Sequence, residues 1–435
     1  MTATPRTRIL ATLGPASAGE DGIRALLEAG VDAFRLNFSH GTHAEHGRTI
    51  AAIRRVAAGR PIAILQDLGG PKLRLRRPVR GEPGDVVEIA LPASVVPGDP
   101  VLLADGVMQL EVVAPGRARV VTEGDIPAGK GINLPSSRLD DVPSLTPKDE
   151  ADLRFGVEQG VDWVALSFVR RASDLAPVKA TGLPVVAKIE KAHAVENLDE
   201  IVEAADAVMV ARGDLGVEIP IERVPTVQKR LIAATNRAGK PVITATQMLR
   251  SMVESRLPTR AEATDVANAV LDGTDVVMLS EETAIGAHPS LAVAMMRRIV
   301  LEAERILPPR LAPADASVDD LIASQACEVA ARLDAAAIVV PTRTGFTATQ
   351  VASHRPGVPI VALTVDEALR RRLALVWGVT ACTTTFPDDA GAGLAAFRAV
   401  VRGLGIAPAG ASIVLVGGWP FGAPGGTNLL HVARL

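Results

Sequence analysis

Polar residues recur at the carboxyl ends of short apolar runs along this chain. Arg35-Leu36-Asn37-Phe38-Ser39, Asp67, Ser167, Lys188-Ile189-Glu190, Arg212-Gly213-Asp214, Thr244-Ala245-Thr246-Gln247 and Ser280-Glu281-Glu282 each close one such run. Side chains two apart on a strand share a face. Arg35, Asn37 and Ser39 are therefore expected to point together, as are Lys188 with Glu190, Thr244 with Thr246, and Ser280 with Glu282. Any one of them alone reads as a cap or an ion-pair member. Seven strands ending alike require a shared ligand, because converging polar groups need partners. Glu190 and Asp214 are hard carboxylate ligands suited to Mg2+ or Mn2+, with water and substrate oxygens completing the shell. No His or Cys cluster suggests zinc. Arg35, Arg74 and Lys188 can hold phosphate and meet charge developing on a phosphoryl group. Gly213 lets an anion approach backbone N–H groups. The set points to metal-assisted phosphoryl transfer, or to enolate chemistry on an anionic acid. No Walker-type phosphate loop accompanies it.

Such a site needs elements that bring strand ends together. Candidate strands cover residues 7–13, 31–39, 62–68, 161–168, 184–190, 207–214, 241–247 and 275–283. They are rich in Val, Ile, Ala and Leu, as strands buried on both faces are. Amphipathic segments such as Ala261 to Leu271 lie between most of them. Eight strand–helix units predict an α/β fold, a (β/α)8 TIM barrel whose site lies at the carboxyl face. An open doubly wound sheet is the alternative.

Residues 69–146 are too long for an unstructured connection. Runs such as Val86–Ile89, Leu110–Val113 and Arg119–Val121 alternate there with turn signals such as Gly81-Glu82-Pro83-Gly84. They predict a small antiparallel β-barrel lid inserted at one mouth of the barrel. The joint Pro308-Pro309-Arg310-Leu311-Ala312-Pro313 marks the next boundary. Beyond it, strands at 335–341, 358–363, 379–385 and 412–418, with a helix over 366–376, predict a separate α/β domain. The expected division is a barrel over 1–70 and 144–308, an inserted β lid over 71–143, and a C-terminal α/β regulatory domain over 309–435.

The chain has 435 residues, 48% of them hydrophobic, with 46 basic and 49 acidic residues for a net charge of −3. That balance argues against a nucleic-acid or membrane-surface binder. Aromatics are 3% with no Tyr, which disfavours base stacking as the main source of affinity. Two cysteines, Cys327 and Cys382, cannot build a disulfide framework. No signal segment opens the chain and no apolar run reaches the ~18 residues of a membrane span. A soluble cytoplasmic protein is expected.

Several motifs in order resemble the pyruvate kinase family. They are Arg35-Leu36-Asn37-Phe38-Ser39-His40-Gly41, Asp67 with Gly70-Pro71-Lys72, Ala165-Leu166-Ser167-Phe168-Val169-Arg170, Ala187-Lys188-Ile189-Glu190 and Met209 to Gly216. Further on come Ala245-Thr246-Gln247-Met248-Leu249, Pro258-Thr259-Arg260-Ala261-Glu262, Asp265-Val266-Ala267-Asn268-Ala269 and Pro424-Gly425-Gly426-Thr427-Asn428. The resemblance implies glycolytic transfer of phosphate from phosphoenolpyruvate to ADP, giving pyruvate and ATP. It implies that Glu190 and Asp214 hold the divalent cation and that Lys188 neutralises the transferring group. Arg35 and His40 would meet the nucleotide, with Arg74 supporting the anion. Gly213, Asp214 and Thr246 would meet the substrate carboxylate, and Thr246 would relay a proton to the enolate. Family members that need K+ resemble this chain at Asn37, Ser39, Asp67 and the Leu68 backbone, but usually carry Glu where Lys72 stands. Activity without K+ is therefore expected.

Thr342-Arg343-Thr344-Gly345-Phe346-Thr347 resembles the family's loop for phosphorylated effectors, with Phe346 in place of the usual basic residue; a helix cap is the alternative. Ser280-Glu281-Glu282-Thr283-Ala284-Ile285-Gly286 departs from the family pattern at Glu281 and Ile285. By strand alternation Glu281 should face away from Glu282. A homotetramer is implied by the family alone. A lyase or mutase acting on phosphoenolpyruvate or pyruvate, and an inactive metabolite sensor, are the competing readings.

Overall fold

The computed structural model describes residues 4–310, 316–387, 390–418 and 426–435. Eight parallel strands close into a barrel: β1 (Arg8–Thr12), β2 (Ala33–Asn37) and β3 (Ala63–Asp67) before the insertion, and five after it. The insertion holds β4 (Val79–Gly81), β5 (Val86–Glu88), β6 (Pro100–Leu103), β7 (Met108–Ala114), β8 (Arg117–Val120), β9 (Gly124–Ile126) and β10 (Ile132–Asn133). The barrel resumes with β11 (Trp163–Leu166), β12 (Val185–Ile189), β13 (Ala207–Ala211), β14 (Val242–Ala245) and β15 (Val276–Leu279). The closed order is β1-β15-β14-β13-β12-β11-β3-β2.

Strand alternation sets the two cores. Leu10, Ala33, Leu65, Ala165, Val186, Met209, Ile243 and Met278 fill the lumen. Their neighbours Ile9, Phe34, Ile64, Val164, Ala187, Val208, Val242 and Val277 face the surrounding helices. Local chemistry starts those helices. Thr42 with Glu45, Thr146 with Asp149 and Thr259 with Glu262 form capping boxes, each pairing orphan N–H groups at a helix start.

Three strands end sooner than their apolar runs suggest. The sixth barrel strand stops at Ala211, and Arg212–Glu218 is a helix. The eighth stops at Leu279, and Glu281–Ala284 is a helical turn. Thr244 and Thr246 do not share a face. Thr244 is fully buried and bonds Thr274 at 3.0 Å. Thr246 has left the strand with φ 73. Alternation fails where the backbone stops being extended.

The insertion forms an antiparallel sheet in the order β10-β6-β7-β8-β5, with β4 pairing β9 beside it. Its own core includes Val101, Leu103, Met108, Leu110, Val120 and Ile126. Gly70 opens it at φ +67, and a Cβ there would lie 2.9 Å from both Phe168 Cδ2 and Ser167 Cβ. Only glycine suits such a turn against the barrel mouth.

The C-terminal sheet runs β18 (Val379–Thr383), β17 (Ile360–Thr364), β16 (Ala337–Pro341), β19 (Ser412–Gly417) and β20 (Leu429–Arg434). β20 is antiparallel to β19 and was not anticipated. Its Leu-Leu-His-Val-Ala-Arg pattern is short and half polar, as an edge strand can be. Leu311 to Pro313 of the proline joint, and Pro424 with Gly425, lie outside the described residues. At the barrel base, buried Arg355 reaches Asp275 at 3.1 Å and Asn236 at 3.1 Å, with its guanidinium 5.0 Å from the Trp377 ring centre. Ala374 and Leu375 extend the lumen core there. Cys327 and Cys382 are free, and burial pushes the Cys327 thiol up to about 12. Among the described residues no helix is long and apolar enough to cross a membrane.

Candidate active site

The lumen ends in a cluster of charge. Arg35 Nε lies 2.6 Å from Asp67 Oδ2, and its Nη1 donates to Thr12 Oγ1 at 3.1 Å. Lys188 Nζ sits among three acceptors: Ser167 Oγ at 2.7 Å, Glu190 Oε1 at 2.9 Å and Asp67 Oδ1 at 3.1 Å. Glu190 also takes the Phe168 N–H at 2.8 Å. All of these are at or near full burial, so each charge depends on its partners. Burial opposes the charged form of Asp67, but Lys188 and Arg35 outweigh it and hold the carboxyl below its usual range. Burial likewise opposes the Lys188 ammonium, and Asp67 and Glu190 overcome it, so its pKa is raised. Glu190 goes the other way. Burial pushes its carboxyl up and the Asp214 charge adds to that, against the pull of Lys188. A buried carboxylate sensing a second carboxylate is a group that gains from a cation.

Asp214 enters from the first turn of the helix Arg212–Glu218 and holds Lys72 Nζ at 3.1 Å. Both carboxylates thus already carry an ammonium at about hydrogen-bond distance, and the donor set of hard oxygens fits a divalent cation. Among the described residues no group of three His, Cys, Asp or Glu side chains could hold a metal. Two carboxylates would leave most of a shell to substrate and water. Thr246 stands over the same helix start. Its turn, with Gln247 at φ 57, is held by Arg212, which donates to Ala245 O at 3.1 Å and Thr246 O at 2.8 Å and pairs with Asp265 at 2.6 Å. Positive φ at a threonine is a strained conformation that surroundings must enforce.

Gly213 touches this threonine, for a Cβ there would meet Thr246 Cγ2 at 2.8 Å. Gly213→Ala is expected to displace Thr246 and lower kcat/KM by roughly 100-fold, the scale of a ~1 Å misplacement of reacting groups. Steady-state kinetics beside a thermal melt would check it; unchanged kcat/KM would count against a role for this contact.

Arg35, Asp67, Ser167, Lys188, Glu190, Asp214, Gly213, Thr246 and Lys72 converge. Others do not join them. Asn37 Oδ1 accepts the Ser39 N–H at 3.1 Å, and Ser39 and His40 are exposed beyond β2. Leu68 is the exception, since its backbone O takes Ser167 Oγ at 2.8 Å and so meets the cluster. Lys72 reaches Asp214 rather than this Asn37–Asp67 group. Arg74 is exposed and donates to Gly129 O in the insertion at 3.0 Å. Glu281 is half exposed and paired with Arg250 at 2.9 Å, whereas Glu282 is buried and accepts from Ser280 N and Leu249 N. The two do part, but on a helical turn.

In the Thr342–Thr347 loop two hydroxyls already have partners, one in the backbone and one in a side chain. Thr342 Oγ1 takes the Gly345 N–H at 2.8 Å, and Thr347 bonds Thr427 at 2.8 Å. Arg343 lies 5.7 Å over the Phe386 ring. Thr342 thus closes the turn that leads into the helix Phe346–Ser353, whose N-cap Gly345 has no side-chain cap bond. Sequence reasoning missed Lys191, Glu218 and Asn133, a buried triad beside the site. Two signals could have found it: Lys191 directly follows Glu190, and Glu218 follows Asp214 by one helical turn.

Known proteins resemble this chain in sequence and fold. The chain matches the family profile "Pyruvate kinase, barrel domain" over residues 4–90 and 78–293, and "Pyruvate kinase, alpha/beta domain" over 320–433. It is 44% identical to a pyruvate kinase of Geobacillus stearothermophilus, covering 98% of this chain and 80% of that one. It is 44% identical to a pyruvate kinase of Agrobacterium vitis, covering 99% and 98%. The crystal structure of a pyruvate kinase from Cryptosporidium parvum superposes with a TM-score of 0.91 at 33% identity, covering 99% of this chain and 96% of that one.

Proposed function

The chain belongs to the pyruvate kinase family, a family of phosphotransferases, and from that premise we propose how its own residues carry the reaction. Phosphoenolpyruvate enters the barrel mouth with its carboxylate toward the Gly213–Asp214 backbone and Thr246. Its phosphate lies toward Arg35 and Lys188; Arg74, bonded to Gly129 O in the insertion, would have to leave that bond to support it. ADP approaches past Arg35 and His40. A divalent cation, Mg2+ or Mn2+, held by Glu190 and Asp214, would neutralise charge on the substrate oxygens. The bond between phosphorus and the enol oxygen breaks as a terminal phosphate oxygen of ADP bonds to phosphorus. Lys188, kept cationic by Asp67 and Glu190, meets the negative charge of the group in flight. The enolate left behind takes a proton on its methylene carbon. Thr246, a poor acid alone, relays that proton from water. The observation that carries this reading is the buried Lys188 ammonium set among Asp67, Ser167 and Glu190.

Lys72 supports the view that K+ is dispensable, since its side-chain nitrogen stands 3.1 Å from Asp214. A cytoplasmic place fits a glycolytic catalyst.

A coupled assay tests the whole. Pyruvate is expected to form from phosphoenolpyruvate only with ADP present. Chelation should abolish it and Mg2+ or Mn2+ restore it. The rate should hold when tetramethylammonium replaces K+. Turnover without ADP would point to a lyase or phosphatase, and none at all to a sensor. A large stimulation by K+ would remove the Lys72 reading alone.

A further inference from the structure

We propose that Glu218 is a positioning residue for this reaction, clamping the inserted domain and the metal carboxylates to one helix through Asn133 and Lys191. The inference rests on reading Glu190 and Asp214 as the cation ligands. The helix Arg212–Glu218 carries Asp214 in its first turn and Glu218 at its end, four residues apart and so on one face. Asp214 holds Lys72, where the chain enters the insertion, at 3.1 Å. Glu218 Oε1 accepts from Asn133 Nδ2 at 2.9 Å, on β10, where the inserted chain returns to the barrel. Both roots of the insertion are therefore pinned to the same short helix.

Glu218 Oε1 also takes Lys191 Nζ at 2.5 Å, and Lys191 is the residue after Glu190. The ammonium groups of Lys191 and Lys72 each lie 5.9 Å from the centre of the Phe168 ring. The same phenylalanine, at φ 59, gives its N–H to Glu190 Oε2 at 2.8 Å. The ring spaces the two cations while its backbone holds one metal carboxylate. Glu218, Lys191 and Asn133 are 4%, 7% and 2% exposed.

A buried ion pair adds little stability over apolar packing of the same volume. This one even leaves Glu218 Oε2 and Asn133 Oδ1 buried without a hydrogen-bond partner. What it supplies is direction: each member touches a different working part. Asn133 is on the insertion, Lys191 adjoins Glu190, and Glu218 shares a helix with Asp214.

Three measurements separate positioning from mere packing: Mn2+ binding by electron paramagnetic resonance on the substrate-free enzyme, kcat and KM from the coupled assay, and a thermal melt. Glu218→Gln removes the counter-charge of Lys191 at constant size. It is expected to weaken Mn2+ binding by about tenfold, the lower end of the effect of losing a direct outer-shell partner, because Glu218 acts on the two carboxylates through Lys191 and the shared helix. Glu218→Asp, which restores the charge at shorter reach, should recover part of that affinity. Asn133→Ala keeps the ion pair, and so the fold. It should leave Mn2+ binding unchanged while raising KM for phosphoenolpyruvate and lowering kcat. A folded Glu218→Gln enzyme with wild-type Mn2+ affinity would overturn the proposal, as would an Asn133→Ala enzyme with unchanged kcat and KM. Glu190→Gln serves as the control. If it binds Mn2+ normally, the ligand assignment is what fails.

Discussion

Lys188→Met is expected to lower kcat by on the order of 1,000-fold or more, the scale on which one cation aimed at a transferring phosphoryl group acts. The argument is electrostatic. Lys188 stands at the end of the lumen, where little water screens it, with acceptors at 2.7, 2.9 and 3.1 Å. Its charge is preorganised, so no reorganisation is needed when charge develops on phosphorus. Asp67 and Glu190 raise its pKa against the opposing effect of burial.

A group raised in this way contributes stability that is fully present below its unfolded value near ~10.4 and is lost as pH rises through the folded one. Asp67 is lowered, so its contribution is present above ~3.9 and lost as pH falls through the folded value. Lys188 and Asp67 therefore stay charged throughout the neutral range. Methionine keeps the volume and removes the charge. It leaves Glu190 with only the Phe168 N–H and Asp67 with Arg35 and Ser167. Breaking a buried pair in this way costs about 3–5 kcal/mol. The melt should fall together with kcat, and the two must be read on one preparation. A kcat within about tenfold of wild type in a folded variant would remove Lys188 from the chemistry, because a single oxyanion donor already counts for more than that.

Why some of this was legible in sequence and some was not is a matter of range. Barrel strands buried on both faces announce themselves as Val- and Ala-rich runs, so β1 to β3 and β11 to β15 were readable to within a few residues. Arg35, Asp67, Ser167, Lys188 and Glu190 were readable because they end such runs. Thr246 and Asp214 were found, but on the wrong geometry. The period-2 rule continues a strand on paper, whereas the backbone turns at φ 73 in one case and enters a helix in the other. Lys191 and Glu218 had only their spacing from Glu190 and Asp214 to mark them and Asn133 had nothing, because their meaning lies in contacts between residues 27 and 85 positions apart. In the Thr342–Thr347 loop the sequence shows hydroxyls ahead of a helix, but not that Thr342 takes the Gly345 N–H and Thr347 meets Thr427, 80 positions away.

Lys72→Glu is expected to make activity depend on K+. Lys72 and Asp214 are each about one-third exposed, 31% and 32%, and 3.1 Å apart. Such a pair is worth between about 1 kcal/mol in bulk water and about 4 kcal/mol near a protein surface, with solvent pulling toward the lower figure. The substitution replaces that attraction by repulsion of similar size. Without added K+, kcat/KM should fall on the order of 100-fold, since each ~1.4 kcal/mol is a factor of ten. Two carboxylates facing each other at the barrel mouth offer oxygens to a monovalent cation, which the ammonium group now excludes. K+ should therefore restore most of the loss, and tetramethylammonium, too large to enter, none of it. Lys72→Met separates charge from site. It loses the ammonium without providing a ligand, so K+ should rescue it less than it rescues Lys72→Glu. Equal rates for wild type and Lys72→Glu in tetramethylammonium chloride would show that Lys72 supplies no charge the reaction uses.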